Sequence, residues 1–161
     1  MLRRKAVVEL KILIFSDSHR SFSPMMKAID CEAPVDMIIH AGDVLSDAED
    51  LEIMYPRQRI VYVKGNNDIW DRTAPEDRFF EVDGVKIFLT HGHNYGVKYS
   101  LAKLMKTGVE KGADICIFGH THTVCNEEAG GVVLFNPGSA VRHYGVLETN
   151  GGRFTLQVRD I

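Results

Sequence analysis

A layered α/β fold is predicted by three observations. Short apolar runs rich in β-branched residues recur along the chain, segments with helical spacing lie between them as far as residue 118, and glycine pairs punctuate the last third. The apolar runs cover residues 12–15, 37–39, 60–63, 85–89, 115–118 and 132–135, each too short for a helix and predicted as a strand. The first candidate helix starts at Ser23-Pro24 and turns Met25, Met26 and Ile29 inward. A second follows the capping box Ser46-x-x-Glu49 and buries Leu51 and Met54. The third spans 95–111, with Val97, Leu101, Leu104 and Met105 at helical spacing ahead of Gly112. Gly130-Gly131 and Asn150-Gly151-Gly152 predict hairpin turns, so the last third is expected to be antiparallel and β-rich.

With 161 residues and no linker, repeat or low-complexity stretch, the chain is expected to form one domain over residues 1–161. Residues 1–10 form an N-terminal extension or a lead-in to the first strand. Their start is basic, but Glu9 and Lys11 interrupt the apolar core a signal peptide requires. Lys and Arg number 19 against 22 Asp and Glu, a net charge of −3, which argues against a duplex nucleic acid or anionic membrane as partner. No apolar run approaches the roughly 20 residues of a membrane span. Cys31, Cys116 and Cys125 are odd in number and lack C-x-x-C spacing, which speaks against a disulfide framework and a thiolate zinc site and favours the cytoplasm. Partners must therefore be read from chemistry, and seven histidines are the place to start.

Five predicted strands end in a polar cluster: Ser16-Asp17-Ser18-His19, His40-Ala41-Gly42-Asp43, Lys64-Gly65-Asn66-Asn67-Asp68, Thr90-His91-Gly92-His93 and Gly119-His120-Thr121-His122. Ligands bind at the carboxyl ends of strands in α/β sheets, because several loops converge there. Chance placement of seven histidines would give ~0.3 H-x-H pairs. The chain has two, His91-x-His93 and His120-x-His122, so the pairs need an explanation. Carboxylate oxygen, imidazole nitrogen and amide oxygen together suit Mn²⁺, Fe, Co, Ni or Zn²⁺. Seven such groups exceed what one ion takes, whereas two ions about 3.5–4 Å apart would use them all, an arrangement that serves in-line displacement at phosphorus. D-x-H spacing puts both side chains on one side of a loop, and Gly42 and Gly65 are expected to provide tight turns that aim Asp43 and Asn66 inward.

Taken in order, Asp17-x-His19, Gly42-Asp43, Gly65-Asn66-Asn67-Asp68, His91-Gly92-His93 and Gly119-His120-Thr121-His122 resemble the five blocks of the calcineurin-like metallophosphoesterase superfamily. Asn136-Pro137-Gly138-Ser139 resembles its C-terminal strand–turn region. The short chain, with no inserted cap, is similar to the small stand-alone prokaryotic phosphodiesterases of that superfamily. The resemblance implies a four-layer α/β/β/α sandwich of two mostly mixed sheets flanked by helices, with a dinuclear metal site at the carboxyl ends of the strands. It implies Asp17, His19, Asp43 and His122 on one ion and Asp43, Asn66, His91 and His120 on the other, with Asp43 as the bridge. Mn²⁺ leads among the two divalent ions it implies, ahead of Ni²⁺, Fe²⁺, Co²⁺ or Zn²⁺. A hydroxide between the ions would attack a small phosphodiester substrate, and homo-oligomers would be in keeping with the family.

One block departs from the family pattern. The position after the ligand Asn usually carries a His, or a Cys in the small branch, and here it is Asn67. An amide bonds a phosphate oxygen but has no proton to give near neutral pH. Asn67 and His93 are the expected catalytic contacts, His93 as substitute proton donor, although a supporting role for His93 weighs more. His40 and Asp68 are read as supports for neighbouring ligands, Arg142 as either a phosphate contact or a solvated charge, and Trp70 as either a packing residue or part of a substrate wall. His143 is given no role. The competing readings are a phosphomonoesterase, a nuclease acting on short or cyclic substrates, and a weak or inactive scaffold of the same fold. The filled ligand set favours an enzyme.

Overall fold

A computed structural model describes residues 9–161, so the expected extension lies outside the described residues as far as residue 8, and Leu10 already opens the first strand. Two five-stranded sheets form the frame. In the first, β1 (Leu10–Phe15), β2 (Met37–His40) and β3 (Arg59–Tyr62) run parallel, and β9 (His143–Asn150) and β10 (Arg153–Asp160) continue antiparallel beyond β1, in the order β10-β9-β1-β2-β3. In the second, the order is β4-β5-β6-β8-β7. Its parallel centre is β5 (Val85–Thr90), β6 (Ile115–Ile117) and β8 (Val132–Asn136), and its antiparallel edges are β4 (Asp77–Val82) and β7 (Cys125–Ala129).

Alternation along the strands explains the layering. Ile12 and Ile14 meet Ile87, Ile115, Ile117 and Phe135 between the sheets, while Leu13 and Phe15 turn the other way onto Met25, Ala28, Ile29 and Leu51. Those four belong to α1 (Phe22–Glu32) and α2 (Leu45–Met54). On the far side, Phe88, Cys116 and Leu134 pack under Leu104 of α3 (Ala102–Lys111). Strands covered on both faces read as unbroken apolar runs, which is why they were visible in the sequence. The expected α/β/β/α sandwich is what forms.

Several local expectations give way to tertiary packing. Helix α1 begins one residue before Ser23, and Met26 is only partly covered while Ala28 takes the inward position. The Ser46–Glu49 box does not form, because α2 opens earlier, at Leu45, and the backbone N–H of Leu45 donates to Asp68 Oδ1 of a distant loop at 2.8 Å. Met54 is exposed. Tyr95 lies in a 3₁₀ turn, and α3 starts only at Ala102. Strand and helix do not alternate throughout either, since β3 is followed by a loop and the β4–β5 hairpin, which turns at Asp83-Gly84. Both glycine-marked hairpins of the last third form, as β7–β8 and β9–β10.

Glu32, buried at the end of α1, accepts from Tyr144 Oη at 2.8 Å and lies against Arg159 and Lys11. Burial pushes its pKa up, but those hydrogen bonds and the Arg159 charge together hold it below the ordinary 4.5. A depressed carboxylate pKa adds stability that is full above the unfolded value and fades as pH falls through the folded one. Glu32→Gln is therefore expected to lower the melting temperature at pH 7, with the two melting curves converging as pH falls below the ordinary 4.5 and through the depressed folded value. Thermal melts across pH check this.

Candidate metal centre

Register places the loops. Phe15 pairs with His40 and His40 with Tyr62, so the three parallel strands of the first sheet end side by side. Asp17, Asp43 and Asn66 follow directly, and Asp17 N–H donates to Gly42 O at 2.8 Å. From the second sheet, Gly119 N–H donates to His91 O at 3.0 Å, which joins the ends of β5 and β6. The two ends meet where His120 N–H donates to Asp17 Oδ2 at 3.0 Å and Ser139 Oγ to Asp17 O at 2.9 Å. Asn136 Nδ2 bonds Gly119 O and Thr121 Oγ1, so the Asn136–Ser139 segment braces both loops.

The loops carry unusual backbone. Asp17, His19, His120 and His122 all have left-handed φ, at 53°, 46°, 69° and 59°. Residues other than glycine rarely adopt this region, at a cost of about 1–3 kcal/mol each, and such residues gather at functional sites. In the Asp17-x-His19 pair the outer side chains come to one side. Asp17 Oδ1 lies 3.9 Å from His19 Nε2 and 3.3 Å from His122 Nε2, while the intervening Ser18 points into the protein.

All seven proposed ligands converge. Asp17, His19 and His122 offer donor atoms within 4.8 Å of one another, and so do Asp17, Asp43 and His91. Asn66 Oδ1 is 3.1 Å from His91 Nε2, and the His120 ring centroid is 5.1 Å from that of His91. The carboxylate common to both groups is Asp17, whereas the family resemblance puts Asp43 between them.

The donors fit divalent ions. Asp17 Oδ1 is buried and accepts no hydrogen bond among the described residues, although Oδ2 accepts two. Around it stand Nε2 of His122, His91 and His19 at 3.3, 3.8 and 3.9 Å. His91 donates from Nδ1 to Ala41 O at 2.8 Å, which leaves Nε2 with a lone pair facing both Asp17 and Asn66 Oδ1. His19 and His122 turn Nε2 atoms toward each other, 3.1 Å apart, close enough for one ring to donate to the other or for both to face a shared cation. Burial, with His91 and Lys98 nearby, pushes His120 down to about 4, so its imidazole is neutral and able to ligate at pH 7.

The expected catalytic contacts are placed differently. Asn67 is exposed on the rim and bonds Asp43 twice, from its backbone N–H to Oδ1 at 3.0 Å and from its side-chain amide to Oδ2. His93 is half-buried, its ring centroid 5.6 Å from His91 and 6.2 Å from His120. Burial and the His91 ring lower its pKa. Asp68 supports rather than ligates, accepting from Gly65 N–H and Leu45 N–H at 2.8 Å each. Trp70 is 90% exposed, so it packs on nothing, and His143 pairs with Asp160 on the outer strand. Arg142 is exposed.

Sequence reasoning missed a buried network beneath the site. Ser18 Oγ lies 3.0 Å from His40 Nε2 and 2.5 Å from Asp47 Oδ2, which also accepts from Arg20 N–H at 2.8 Å. Gly42 N–H donates to His40 Nδ1 at 3.2 Å. His40 is fully buried, and burial pushes its pKa down to about 4. Only the polar Ser18 wedged between two ligands could have signalled it.

Comparison with known proteins identifies the family. The profile of the calcineurin-like phosphoesterase superfamily domain matches residues 10–156. A probable metallophosphoesterase of Methanocaldococcus jannaschii is 36% identical over 129 residues, which cover 78% of this chain and 66% of that protein. A phosphodiesterase of the same organism is 31% identical over 157 residues, covering 88% of this chain and 91% of that one. The crystal structure of a conserved protein from Streptococcus pneumoniae, described as a predicted phosphoesterase, superposes with a TM-score of 0.79 at 27% identity, covering 96% of this chain and 91% of the other.

Proposed function

The chain belongs to the calcineurin-like phosphoesterase superfamily, and from that premise we propose that it is a two-metal phosphodiesterase acting on small phosphodiesters. The observation that carries the reading is the buried, unpartnered Oδ1 of Asp17 facing three imidazole nitrogens. As the family resemblance divides them, Asp17, His19, Asp43 and His122 would hold one ion and Asp43, Asn66, His91 and His120 the other, although the observed donor groups share Asp17. The mixed oxygen and nitrogen donors suit Mn²⁺, Fe, Co, Ni or Zn²⁺, and the family resemblance puts Mn²⁺ first among them. Bound there, divalent ions supply Lewis-acid stabilisation of the phosphoryl oxygens and lower the pKa of water.

The chain's own residues shape the reaction around that centre. Asn67 fixes Asp43 and presents an amide to a phosphate oxygen, but it has no proton for the leaving group. His93 is held below the usual histidine range, so it is a poor acid at pH 7. The leaving group must then depart largely unprotonated. Exposed Asn66, Asn67, His19 and His122 make an open rim that selects little, and a net charge of −3 keeps duplex nucleic acid out of the reading. No helix among the described residues is long and apolar enough to cross a membrane. The three free cysteines support a cytoplasmic setting.

A metal-by-substrate panel tests this, with Mn²⁺, Ni²⁺, Zn²⁺ and Mg²⁺ against aryl diesters of graded leaving-group pKa, an aryl monoester and cyclic nucleotides. Expected are Mn²⁺-dependent hydrolysis of diesters ahead of the monoester and a rate that falls steeply as leaving-group pKa rises. A rate independent of leaving-group pKa overturns the role given to Asn67. Fewer than about one ion per chain, without rescue by added Mn²⁺, overturns the enzyme reading in favour of a scaffold.

A further inference from the structure

We propose that Ser18, His40 and Asp47 form a buried strut that positions the metal ligands Asp17, His19 and Asp43 from beneath, an inference that rests on the metal-centre reading above. Donor and acceptor accounting fixes the direction of the strut. Gly42 N–H can only donate, so His40 Nδ1 accepts and His40 Nε2 carries the proton. That proton goes to Ser18 Oγ at 3.0 Å, and the hydroxyl proton goes on to Asp47 Oδ2 at 2.5 Å. The same Asp47 oxygen accepts Arg20 N–H at 2.8 Å. Each donor in the line finds an acceptor, Asp47 Oδ2 taking two, and all three side chains are buried.

Each contact lands next to a ligand. Ser18 sits between Asp17 and His19, both held at left-handed φ, and Arg20, next along the chain, shares that conformation. Gly42, whose φ is +83°, is bonded to Asp17 on its carbonyl side and leads directly into Asp43. Asp47 lies in the first turn of α2, whose opening N–H at Leu45 is also tied to Asp68 in the Asn66 loop. One helical turn therefore bonds two ligand-bearing loops, while His40 holds the third at Gly42. Strained backbone persists only where surrounding contacts over-determine it, and this strut supplies such contacts for the Asp17–Arg20 loop. Losing a partner of this kind, which orients a metal ligand without touching the metal, costs 10–100-fold in metal affinity.

The test is Mn²⁺ calorimetry on chelator-stripped full chain, well below the melting temperature, together with the visible spectrum of the Co²⁺-loaded protein. Asp47→Ala is expected to weaken Mn²⁺ binding by about 10–100-fold and to alter the Co²⁺ spectrum. Asp47→Asn keeps an oxygen for Ser18 and Arg20 and is expected to restore near-parent affinity. Should Asp47→Ala fail to fold, Ser18→Ala reads the same quantity, since it removes the hydroxyl that joins His40 to Asp47. Parent affinity and spectrum in folded Asp47→Ala or in Ser18→Ala overturn the proposal, as does Asp47→Asn binding as weakly as Asp47→Ala. If the parent protein itself takes up no Mn²⁺, the metal reading falls and this inference with it; parent-like variants sink the strut alone.

Discussion

Asp17→Asn is expected to lose metal-dependent hydrolysis by several orders of magnitude while its metal-free form melts higher than the parent. The two effects share one cause. Asp17 Oδ1 is buried without a hydrogen bond, and in the metal-free chain that vacancy is a cost of about 1–3 kcal/mol. An asparagine in the same rotamer keeps an oxygen for Ser16 Oγ and His120 N–H and places an N–H where Oδ1 was, 3.3 Å from His122 Nε2. At about 2–4 °C per kcal/mol for a chain of this size, the gain is measurable by calorimetry in chelator. With Mn²⁺ the order reverses, because only the parent gains binding energy. Asp43→Asn should lose activity on a similar scale without the metal-free gain, since both Asp43 oxygens already accept from Asn67. Metal counts per chain then separate the carboxylates. Loss of the bridging one removes both ions, and the family resemblance assigns that part to Asp43, whereas the observed geometry gives Asp17 to both donor groups. A metal-free Asp17→Asn chain that melts below the parent would mean the orphan oxygen is not the cost it is taken for.

The layers and the site differ in how much of them the sequence shows. Central strands were legible because burial on both faces leaves continuous apolar runs, and the five strand-end clusters because each follows an apolar run and two of them carry H-x-H pairs in excess of chance. Edge strands β4 and β7 show few buried positions and leave no such run. The N-terminus of α2 was misread for a different reason. Its capping box is a local signal, and Asp68, 23 residues along the chain from Leu45, takes its place. Propensity yields to tertiary contact in that way throughout the first two helices. Of the Ser18–His40–Asp47 network only His40 was legible as a support, because a lone serine and a helical aspartate carry no spacing. What joins them is the register that sets β1 beside β2.

Gly65 and Gly119 should each tolerate no side chain, and alanine at either is expected to abolish metal uptake while preserving the fold. Tight turning does not explain them. Gly65 has φ −106° and ψ −172°, extended backbone open to any residue, so the turn expected of it from sequence is not its reason. Space is. A Cβ on Gly65 would overlap Asp43 Oδ1 and stand 2.8 Å from its Cγ, and one on Gly119 would overlap Ser16 Oγ and stand 2.7 Å from Asp17 Oδ2. In both cases the colliding atom belongs to a proposed ligand or its hydrogen-bond partner, held from other sides. Overpacking of this kind costs about 1–3 kcal/mol, which a 161-residue domain survives. Chemistry is less forgiving, since a 1 Å displacement at a reacting centre costs roughly 10²-fold. Gly112 supplies the control. It ends α3 at φ +71° with nothing within 4 Å of its would-be Cβ, so Gly112→Ala meets only the left-handed penalty of about 1–2 kcal/mol. All three variants should melt lower than the parent, yet only Gly65→Ala and Gly119→Ala should fail to bind Mn²⁺ by calorimetry. If Gly112→Ala lost metal to the same degree, general destabilisation would account for the effect. Full Mn²⁺ binding by Gly119→Ala would show that Asp17 has room to move and is not held where the ions need it.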